Sequence, residues 1–469
     1  MAQSNHELPH LVLLPSPGMG HIIPLVEFAK RLVKLHNFSV TVIILSDGPI
    51  PNAHKAFLDD MPERIGYRVL PQANTDDLSL ETRIETRMFV MINRSLPLIR
   101  QDLVSIASNY RVVAFLTDIF GFASLEIAKE LNISPYIFCP STAMTLCVLL
   151  YLPTLDKEVK CEYKDLIEPV RIPGCIPIHG RDLMDPVQDR KNEAYMHILS
   201  AEKGYRMAEG ILLNNFHDLE PLAIKALQEV DSGKLKIYPV GPLVKMDTKS
   251  GAESECLKWL GGQPTNSVLF VSFGSGGTLT YSQLTELAHG LELSQQRFIW
   301  VVRIPCDGPA ESNYFIDHSL NDPLSYLPKG FIDRVKGYGL VLPSWGPQAE
   351  ILMHESTGGF LTHCGWNSTL ESVVTGVPLI AWPLYAEQKM NAVLLTDDLK
   401  VALRAEADEN GLVGRVEVAR LVKTLMEGEE GERVRSRMKE LKEASKKVLA
   451  EDGSSTKALA EVAKKWMGA

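Results

Sequence analysis

The chain contains none of the long apolar or basic tracts that membranes and nucleic acids require. Its longest apolar run, around residues 143–152, is far shorter than the roughly 20 residues needed to span a bilayer. Lysine and arginine are scattered along the 469 residues, and the formal net charge is −10. Because nucleic acids and anionic membranes attract clustered cations, neither is an expected partner. A small molecule is therefore favoured as the ligand.

Cysteine is also sparse. The seven cysteines are scattered, odd in number and without a C-x-x-C pair, which fits neither a disulfide framework nor a zinc site. The polar N-terminal residues are followed by only a short apolar run before Pro15, so we expect neither a secretory signal nor a basic targeting helix. These features predict a cytoplasmic protein with reduced thiols, and we expect it to be a monomer.

Three motifs that bind phosphates or metal ions are missing as well. No D-x-D triplet is present to hold a divalent ion on a diphosphate, and no G-x-x-x-x-G-K-[ST] loop occurs. The segment PSPGMGHIIP at 15–24 has Gly18 and Gly20, but Ile23 stands where the dinucleotide-binding pattern G-x-G-x-x-G needs a third small residue. The sequence thus predicts a protein that requires no metal, and it weakens a nicotinamide-dependent function.

What the chain does contain is two series of alternating strand and helix patterns. A length of 469 residues exceeds what one hydrophobic core organises, so two domains are expected. Short apolar runs alternate with amphipathic segments, which is typical of parallel sheets. We therefore predict an α/β protein with two Rossmann-like βαβ domains. The predicted strands lie at 11–14, 40–45, 112–116 and 135–139 in the first series, and at 267–273, 297–302, 339–342, 358–361 and 377–382 in the second, which ends there.

The domain boundaries follow from composition. The stretch 240–255 is polar, rich in small residues and without periodicity, which is typical of a linker. The helical composition of the tail predicts a C-terminal helix. We place the N-terminal domain at 1–243, the linker at 244–255, the C-terminal domain at 256–450 and the final helix at 451–469.

One 44-residue segment carries the residue types that a sugar nucleotide requires, in a suitable order. Trp345 offers an indole face on which a pyrimidine can stack, and Gln348 and Glu371 can hydrogen-bond vicinal hydroxyls. Between them, an apolar strand passes through a glycine into a helix, so the backbone N–H groups of 366–368 would point at an anion. Stacking, hydroxyl-binding and anion-binding groups together indicate a sugar-nucleotide site.

Several residues in and near this segment also have structural interpretations. Ser368 and Glu371 form an S-x-x-E pattern, the capping box that opens many ordinary helices. His363 could donate to a diphosphate oxygen, whereas Cys364 beside it could be a thiol nucleophile or, equally well, a packing residue. The glycine cluster around Ser275 follows a strand and could bring backbone N–H groups to an anion or simply form a turn.

A histidine and an aspartate are placed where ligands meet the first sheet. Pro24 suits the first helical position, so we expect His21 just before a helix N-terminus, whose partial positive charge favours the neutral, base-competent imidazole. Asp118 ends a predicted strand and could reach His21, fixing its tautomer and stabilising the imidazolium. Alternatively, His21 is a hydrogen-bonded structural residue and Asp118 caps a helix over 121–131.

The segment 345–388 closely resembles the signature box of plant family 1 UDP-sugar glycosyltransferases, and the resemblance extends along the full chain. It implies the GT-B fold, in which two Rossmann-like domains face each other across a cleft and the final helix crosses back onto the N-terminal domain. It also implies that His21 and Asp118 form a catalytic dyad. Glu387 and Gln388, which could alternatively form a solvated helix N-terminus, are implied to read the hexose, with Gln388 typical of glucose. The implied donor-binding residues are Ser275, Trp345, Gly346, Gln348, His363, Trp366, Asn367, Ser368, Glu371, Glu387, Gln388 and Thr142.

The resemblance implies an inverting, UDP-glucose-dependent O-glucosyltransferase that needs no cofactor and forms β-glucosides of small aromatic hydroxyl compounds. Within the family, the sequence resembles phenol glucosyltransferases of the arbutin-forming type, which implies hydroquinone-like or monolignol-like phenols, indoxyl or anilines as acceptors. Segments 84–94, 119–122, 141–150 and 180–200 are expected to select among them. Two alternatives remain. One is a nicotinamide-dependent oxidoreductase, and the other is a non-catalytic UDP-sugar-binding protein, which would have no use for the His21–Asp118 pair.

Overall fold

The structure is a computed structural model that describes residues 8–46, 48, 50, 52–79, 82–230, 234–246, 255–308, 310 and 322–468. The chain divides into two compact units. The first unit comprises residues 1–244 together with 447–469, and the second comprises residues 245–446. Most of the linker predicted at 244–255, namely 247–254, lies outside the described residues.

A parallel sheet forms the centre of the first unit. Its strands are β1 Pro9–Leu14, β2 Ser39–Ile44, β3 Ile65–Val69, β4 Arg111–Asp118, β5 Ser134–Cys139, β6 Gly210–Leu213 and β7 Lys236–Pro239. Within the described residues their spatial order is β3-β2-β1-β4-β5-β6-β7. Leu11 of β1 pairs with Val40 of β2 on one side and with Ala114 of β4 on the other. The apolar run of β1 is buried along its whole length, as expected for a strand covered on both faces.

Helices connect these strands; several bury one apolar stripe, whereas the helix Ala143–Glu158 is buried at every position from 143 to 150. In α1, for example, Leu25, Phe28 and Leu32 recur at helical spacing and are fully buried. Short 3₁₀ turns occur in the excursion between the fifth and sixth helices. The first seven helices are α1 Met19–His36, α2 Asn52–Asp59, α3 Ile84–Ala107, α4 Leu125–Glu130, α5 Ala143–Glu158, α6 Glu193–Tyr205 and α7 Pro221–Glu229.

The second unit also contains a parallel sheet. Its strands are β8 Val268–Ser272, β9 Arg297–Val302, β10 Gly339–Pro343, β11 Thr357–Thr362, β12 Leu379–Ala381 and β13 Ala402–Arg404. In the described part of the chain they are ordered β10-β9-β8-β11-β12-β13. The connecting helices are α8 Glu255–Gly261, α9 Tyr281–Ser294, α10 Phe331–Arg334, α11 Gln348–Met353, α12 Trp366–Thr375 and α13 Gln388–Val393, which continues as a π-helix over Leu394–Asp398.

Three helices end the chain: α14 Arg415–Glu427, α15 Glu429–Leu449 and α16 Ser454–Met467. The last of them belongs to the first unit. Its Trp466 is buried edge-on against Phe28, Phe38 and Tyr136, with ring centroids 6.3, 6.1 and 5.2 Å apart. Ser455 Oγ donates to the carbonyl oxygen of Gly241 at 2.5 Å. The core of the first unit therefore includes the end of the chain.

The alternation of strands and helices predicted from the sequence is confirmed, and each predicted strand is present. The sequence analysis missed β3, β6, β7 and β13. Each of these strands has only three to five residues, too few for a strand period to be distinguished from a buried turn. The expectation that the second series ends at 377–382 is wrong, because β13 adds a further strand at the edge of that sheet.

Both sheets bring a pair of loops together at their carboxyl edge. In the first sheet the strand order reverses between β1 and β4, and in the second it reverses between β8 and β11. In open parallel sheets, ligands bind outside the carboxyl ends of strands at such reversals. The loops that follow these four strands are therefore the places to look for function.

Candidate active site

The loop after β1 delivers His21 in the first turn of α1. The N-cap of this helix is Gly18, with a φ of 110° that favours glycine, and the backbone N–H groups of His21 and Ile22 donate to its carbonyl oxygen at 3.1 and 3.2 Å. The expectation that Pro24 opens the helix is wrong, because the turn at Gly18 starts the helix five residues earlier. His21 thus lies inside the first turn and not before it.

Asp118, the last residue of β4, is fully buried beside this turn. Its Oδ2 lies 2.9 Å from His21 Nδ1 and accepts from the Ser16 backbone N–H at 2.7 Å, while Oδ1 accepts from Ser16 Oγ at 2.6 Å. Burial alone would raise the pKa of the Asp118 carboxyl, but His21 and Ser16 together hold this pKa below its usual value. Ser16 was not identified from the sequence, because only the fold brings it to Asp118.

The alternative function for Asp118, capping a helix over 121–131, is not what the structure shows. Its Oδ1 accepts from the backbone N–H of Phe120 at 3.1 Å, a turn that closes within two residues. The helix α4 begins at Leu125 after a 3₁₀ turn, and its N-cap residue Ser124 makes no side-chain capping bond. The carboxylate is instead directed at Ser16 and His21.

An aromatic wall extends from His21 within the first unit. The ring of Phe120 lies edge-on to His21 with a centroid distance of 5.6 Å, and Phe89 lies 5.1 Å from Phe120. His197 stacks on Phe89 at 5.0 Å with an interplanar angle of 24°. These residues fall in the segments 84–94, 119–122 and 180–200 that we expect to select the acceptor. Phe89 and Phe120 are buried, so these rings form the aromatic packing around His21, and their contact with an acceptor stays a prediction.

In the second unit, Trp345 follows β10 and is 72% exposed. The turn that presents it is tight: Ser344 has a φ of 62°, and the Trp345 N–H donates to the Pro343 carbonyl oxygen at 2.7 Å. A Cβ atom at Gly346 would lie 3.0 Å from Leu342 and 3.1 Å from Val301, so a larger residue would crowd this turn. A large indole exposed on a fixed turn is suited to stacking on a ligand.

Gln348, the first residue of α11, joins two residues of α12. Its Nε2 donates to Ser368 Oγ at 2.9 Å and to Glu371 Oε2 at 2.6 Å. The capping-box interpretation of Ser368 and Glu371 is wrong, because the N-cap of α12 is Gly365 and Ser368 is already the third helical residue. Burial raises the pKa of Glu371 to about 7, although the hydrogen bond from Gln348 acts in the opposite direction. The three side chains form one polar group.

The first turn of α12 comprises Trp366, Asn367 and Ser368. In the part of the chain that the structure describes, no side chain caps this turn. The indole of Trp366 is buried, so the residue contributes its backbone to the turn surface. A helix of ten residues that begins without a side-chain cap presents a partial positive charge to an anion.

His363 lies between β11 and this turn and is 9% exposed. Two glycines make room for its ring: a Cβ atom would come within 2.6 Å of it at Gly274 and within 2.4 Å at Gly365. Burial, assisted by the positive charge of Arg303, lowers the pKa of His363 to about 4. Arg303 Nη1 also donates to the Gly274 carbonyl oxygen at 3.2 Å. Ser275, the next residue, is exposed.

Glu387 and Gln388 mark the start of α13, with Glu387 as its N-cap residue. Gln388 is only 4% exposed, and its Oε1 accepts from the backbone N–H groups of Leu384 and Tyr385 at 2.9 and 3.0 Å. The alternative of a solvated helix N-terminus is therefore wrong for Gln388. These two hydrogen bonds fix the orientation of the amide group, so its N–H groups can donate only to acceptors that lie close to them.

Thr142 and Cys364 have structural functions. Thr142, in the first unit, is fully buried and caps α5 by accepting from the backbone N–H of Thr145 at 2.9 Å. Its contact with a donor stays a prediction. Burial raises the pKa of the Cys364 thiol to about 12, so a thiolate nucleophile is disfavoured there.

Comparisons with known proteins show the family to which this chain belongs. The sequence pattern of the family described as "UDP-glucoronosyl and UDP-glucosyl transferase" matches residues 242–429. A hydroquinone glucosyltransferase from Rauvolfia serpentina is 59% identical over 459 residues, which cover 98% of each chain. This chain belongs to the UDP-glycosyltransferase family. The glycosyltransferase function predicted from the sequence is confirmed at this level, and the comparisons support neither the oxidoreductase nor the non-catalytic alternative.

Solved structures of plant glycosyltransferases have the same fold as this UDP-glycosyltransferase. One is a UDP-glucosyltransferase from Polygonum tinctorium that is capable of glucosylating indoxyl, solved in complex with 3,4-dichloroaniline. Its sequence is 51% identical and the TM-score is 0.91, and the match covers 98% of this chain and 99% of that one. Another is Phytolacca americana UGT2 with UDP-2-fluoro-glucose and pterostilbene, at 49% identity and a TM-score of 0.89, covering 98% of this chain and 100% of that one. The predicted GT-B fold class is confirmed.

Among the described residues, no three His, Cys, Asp or Glu side chains form a group that could hold a metal ion. None of the helices in those same residues is both long and apolar enough to cross a membrane.

Proposed function

We propose that this glycosyltransferase transfers glucose from UDP-glucose to the hydroxyl group of a small aromatic compound, inverting the anomeric carbon to give a β-glucoside. The observation that carries the proposal is the His21–Asp118 pair at 2.9 Å beside an aromatic wall. The relatives named above act on hydroquinone and indoxyl, which supports phenols and indoxyl as acceptors. Anilines, which the solved complex suggests as ligands, would be converted by N-glucosylation.

In this mechanism His21 is the general base. Because Nδ1 lies 2.9 Å from the Asp118 carboxylate, we place the proton of the neutral imidazole on Nδ1, which leaves Nε2 as the acceptor. Nε2 removes the proton of the acceptor hydroxyl as its oxygen attacks the anomeric carbon, and the bond to UDP breaks on the opposite side. The Asp118 carboxylate, fixed by Ser16, stabilises the imidazolium that forms.

The second unit would hold the donor. Uracil stacks on Trp345, with Gly346 keeping the turn compact, and the ribose hydroxyls donate to Glu371 beside Gln348. The diphosphate binds the first turn of α12, at Trp366, Asn367 and Ser368, together with His363 and Ser275. Glu387 and the amide N–H groups of Gln388 bind glucose hydroxyls, and Thr142 is proposed as a further sugar contact. Apart from Trp345, which stacks, and Gly346, which keeps the turn compact, each assignment uses the hydrogen-bonding capacity of the residue type.

We further propose that the enzyme needs no metal, because neutral donors and a helix N-terminus can stabilise the leaving diphosphate. A monomer in the cytoplasm remains our prediction for its state. All seven cysteines lie within the described residues and none forms a disulfide, which supports a reducing compartment.

The test is UDP release measured with UDP-glucose across a panel of simple phenols, indoxyl and anilines, in the presence and absence of a chelator. We expect turnover with several phenols, no effect of the chelator, and a product whose anomeric proton coupling in NMR is that of a β-glucoside. An α-linked product, or turnover only after metal addition, would contradict the mechanism. UDP release without any glucoside would contradict the function itself.

A further inference from the structure

One buried amide connects the two ends of the proposed donor site. Asn391, in the first turn of α13, is fully buried. Its Nδ2 donates to the backbone carbonyl oxygen of Cys364 at 2.9 Å and lies 3.4 Å from Glu387 Oε1. Cys364 stands between His363 and the N-cap residue of α12. A single side chain therefore touches both the turn that carries the diphosphate-binding groups and a sugar-reading carboxylate.

The contact with Cys364 acts on an unfavourable backbone conformation. Cys364 has a φ of 65°, a left-handed conformation that is unfavourable for a residue with a side chain. Its carbonyl group belongs to the peptide plane that leads into Gly365 and the first turn of α12. By bonding this oxygen, Asn391 fixes the orientation of that peptide plane. This peptide plane leads directly into the N-cap residue of α12, and His363 precedes Cys364 by one residue.

The contact with Glu387 uses the second hydrogen of the same amide group. An Asn side chain has two N–H donors, so Nδ2 can serve the Cys364 carbonyl and the Glu387 carboxylate together. The backbone N–H of Asn391 also donates to the Glu387 carbonyl oxygen at 3.0 Å. The carboxylate is thereby tied to α13 at a fixed distance from the Cys364 turn.

The amide oxygen of Asn391 indicates that the contacts of this side chain do not maximise the stability of the fold. Asn391 Oδ1 is buried and has no hydrogen-bond partner among the described residues. A buried polar atom without a partner destabilises the folded state, and such atoms in native structures call for a specific explanation. Orientation of two functional groups by the N–H side of the amide is such an explanation.

We propose that Asn391 is a positioning residue that couples the sugar-reading end of the donor site, at Glu387, to its diphosphate end, at His363 and α12. The proposal rests on the donor-site assignments made above. Asn391 itself makes no contact with UDP-glucose. Its function is to fix the distance between the groups that bind glucose and those that bind the departing diphosphate. Its loss should therefore lower the rate of glucose transfer more than the affinity for UDP.

A double-mutant cycle tests this coupling. The variants are Asn391→Ala, Glu387→Gln and their combination, with kcat/KM for UDP-glucose measured at one fixed phenol concentration and Kd for UDP measured by calorimetry. We expect each single change to lower kcat/KM by roughly tenfold or more, and the combination to cost clearly less than the product of the two, because contacting residues are coupled. The Kd for UDP should change less than kcat/KM does.

Two further variants separate positioning from folding. Asn391→Thr keeps one donor in place of two and should show an intermediate loss, which also keeps the test available if Asn391→Ala is poorly folded. Ser445→Ala is the matched control: Ser445 is equally buried in the same unit, but among the described residues its hydroxyl donates within α15, to the Lys442 carbonyl oxygen. This control should retain the wild-type kcat/KM even if its thermal stability falls.

The positioning function would be overturned if the loss of kcat/KM in the double variant equalled the product of the losses in the two single variants. It would also be overturned if Asn391→Ala retained the wild-type kcat/KM. Losses in both Asn391 variants that are explained by the unfolded fraction alone, measured by thermal denaturation, would overturn it as well. These outcomes are distinct from a failure of the proposed function, which would appear as a wild-type protein that transfers no glucose.

Discussion

The two histidines of the proposed active site have opposite electrostatic surroundings. His21, in the first unit, has its Nδ1 2.9 Å from the buried carboxylate of Asp118. His363, in the second, is enclosed by glycines next to the guanidinium of Arg303, and its pKa is lowered to about 4, first by burial and then by that charge. A carboxylate stabilises an imidazolium, whereas burial beside a cation destabilises it. One ring is thus suited to accept a proton during the reaction, and the other to remain neutral and donate a hydrogen bond.

The largest expected effect comes from removing the base. His21→Ala should lower kcat for a phenol of high pKa by about 100- to 10,000-fold, the usual cost of losing a general base. Binding of UDP-glucose should remain, because His21 belongs to the acceptor side. Calorimetry for the donor and single-turnover rates for transfer provide the measurement.

An acidic phenol is the matched control for this variant. Such an acceptor is already ionised at the assay pH, so it needs no base and should lose less activity than the phenol of high pKa. Equal losses with the two acceptors would argue against proton removal by His21.

His363→Ala should act on the donor and leave proton removal intact. A hydrogen bond to a charged group contributes about 1.5–3 kcal/mol, so the Kd for UDP and for UDP-glucose should both rise by roughly 10- to 150-fold. The relative rates with phenols of different pKa should match those of the wild type. If this variant instead became selectively slow with phenols of high pKa, the contrast between the two histidines would be lost.

Trp345→Ala examines the other end of the second unit. Base stacking on an aromatic side chain contributes about 1–3 kcal/mol, and the exposed indole would contact the uracil that UDP and UDP-glucose share. We expect calorimetry to show equal weakening of both ligands. Weakening of UDP-glucose alone would place the indole near the sugar and contradict the stacking assignment.

Gln388→His should change the choice of sugar by a smaller amount. A polar group that loses its hydroxyl partner costs about 1–3 kcal/mol, but other contacts also hold the hexose, so a partial change is expected. The measurement is the ratio of kcat/KM for UDP-glucose to that for UDP-galactose, with one fixed phenol. The ratio should fall; an unchanged ratio would remove Gln388 from the sugar-reading residues.

The sequence predicted those parts of the fold and site that depend on residue type and local order. The strand and helix alternation, and the passage from an apolar strand through a glycine into the helix that begins at Trp366, depend on local order. His21 and Asp118 lie 97 positions apart along the chain, and their meeting was predicted because they end neighbouring strand units and because the family has such a pair. The short strands β6 and β13 offered too few residues for a period to be recognised.

Other contacts could not be predicted because they arise only when distant segments pack. Nothing local marks Arg303 as the neighbour of His363, or Ser16 as the residue that fixes Asp118. Asn391 looks like an ordinary polar residue of a helix, yet it is fully buried against Cys364. The S-x-x-E pattern misled for the same reason, since Gln348, 20 positions before Ser368, takes both side chains away from the helix start.

The smallest expected effect concerns the cation beside His363. In Arg303→Met the pKa of His363, followed by NMR of the imidazole ring, should rise from about 4 but stay below the ordinary value of 6.5, because burial is the larger cause and remains. The folded-state pKa lies below the unfolded one, so the unfolded chain binds more protons between these values, and stability is lost as the pH falls from about 6.5 towards 4. A higher folded-state pKa narrows the pH range over which the unfolded chain binds the extra proton, so Arg303→Met should lose less stability on acidification than the wild type.

A second histidine requires a control. The pKa of His10 is also lowered to about 4, so His10 makes the protein lose stability over the same pH range. Comparing Arg303→Met with Arg303→Met/His363→Gln isolates the contribution of His363. An unchanged His363 titration in Arg303→Met would show that burial alone keeps this ring neutral, and the electrostatic contrast between the two histidines would then reduce to the single carboxylate beside His21.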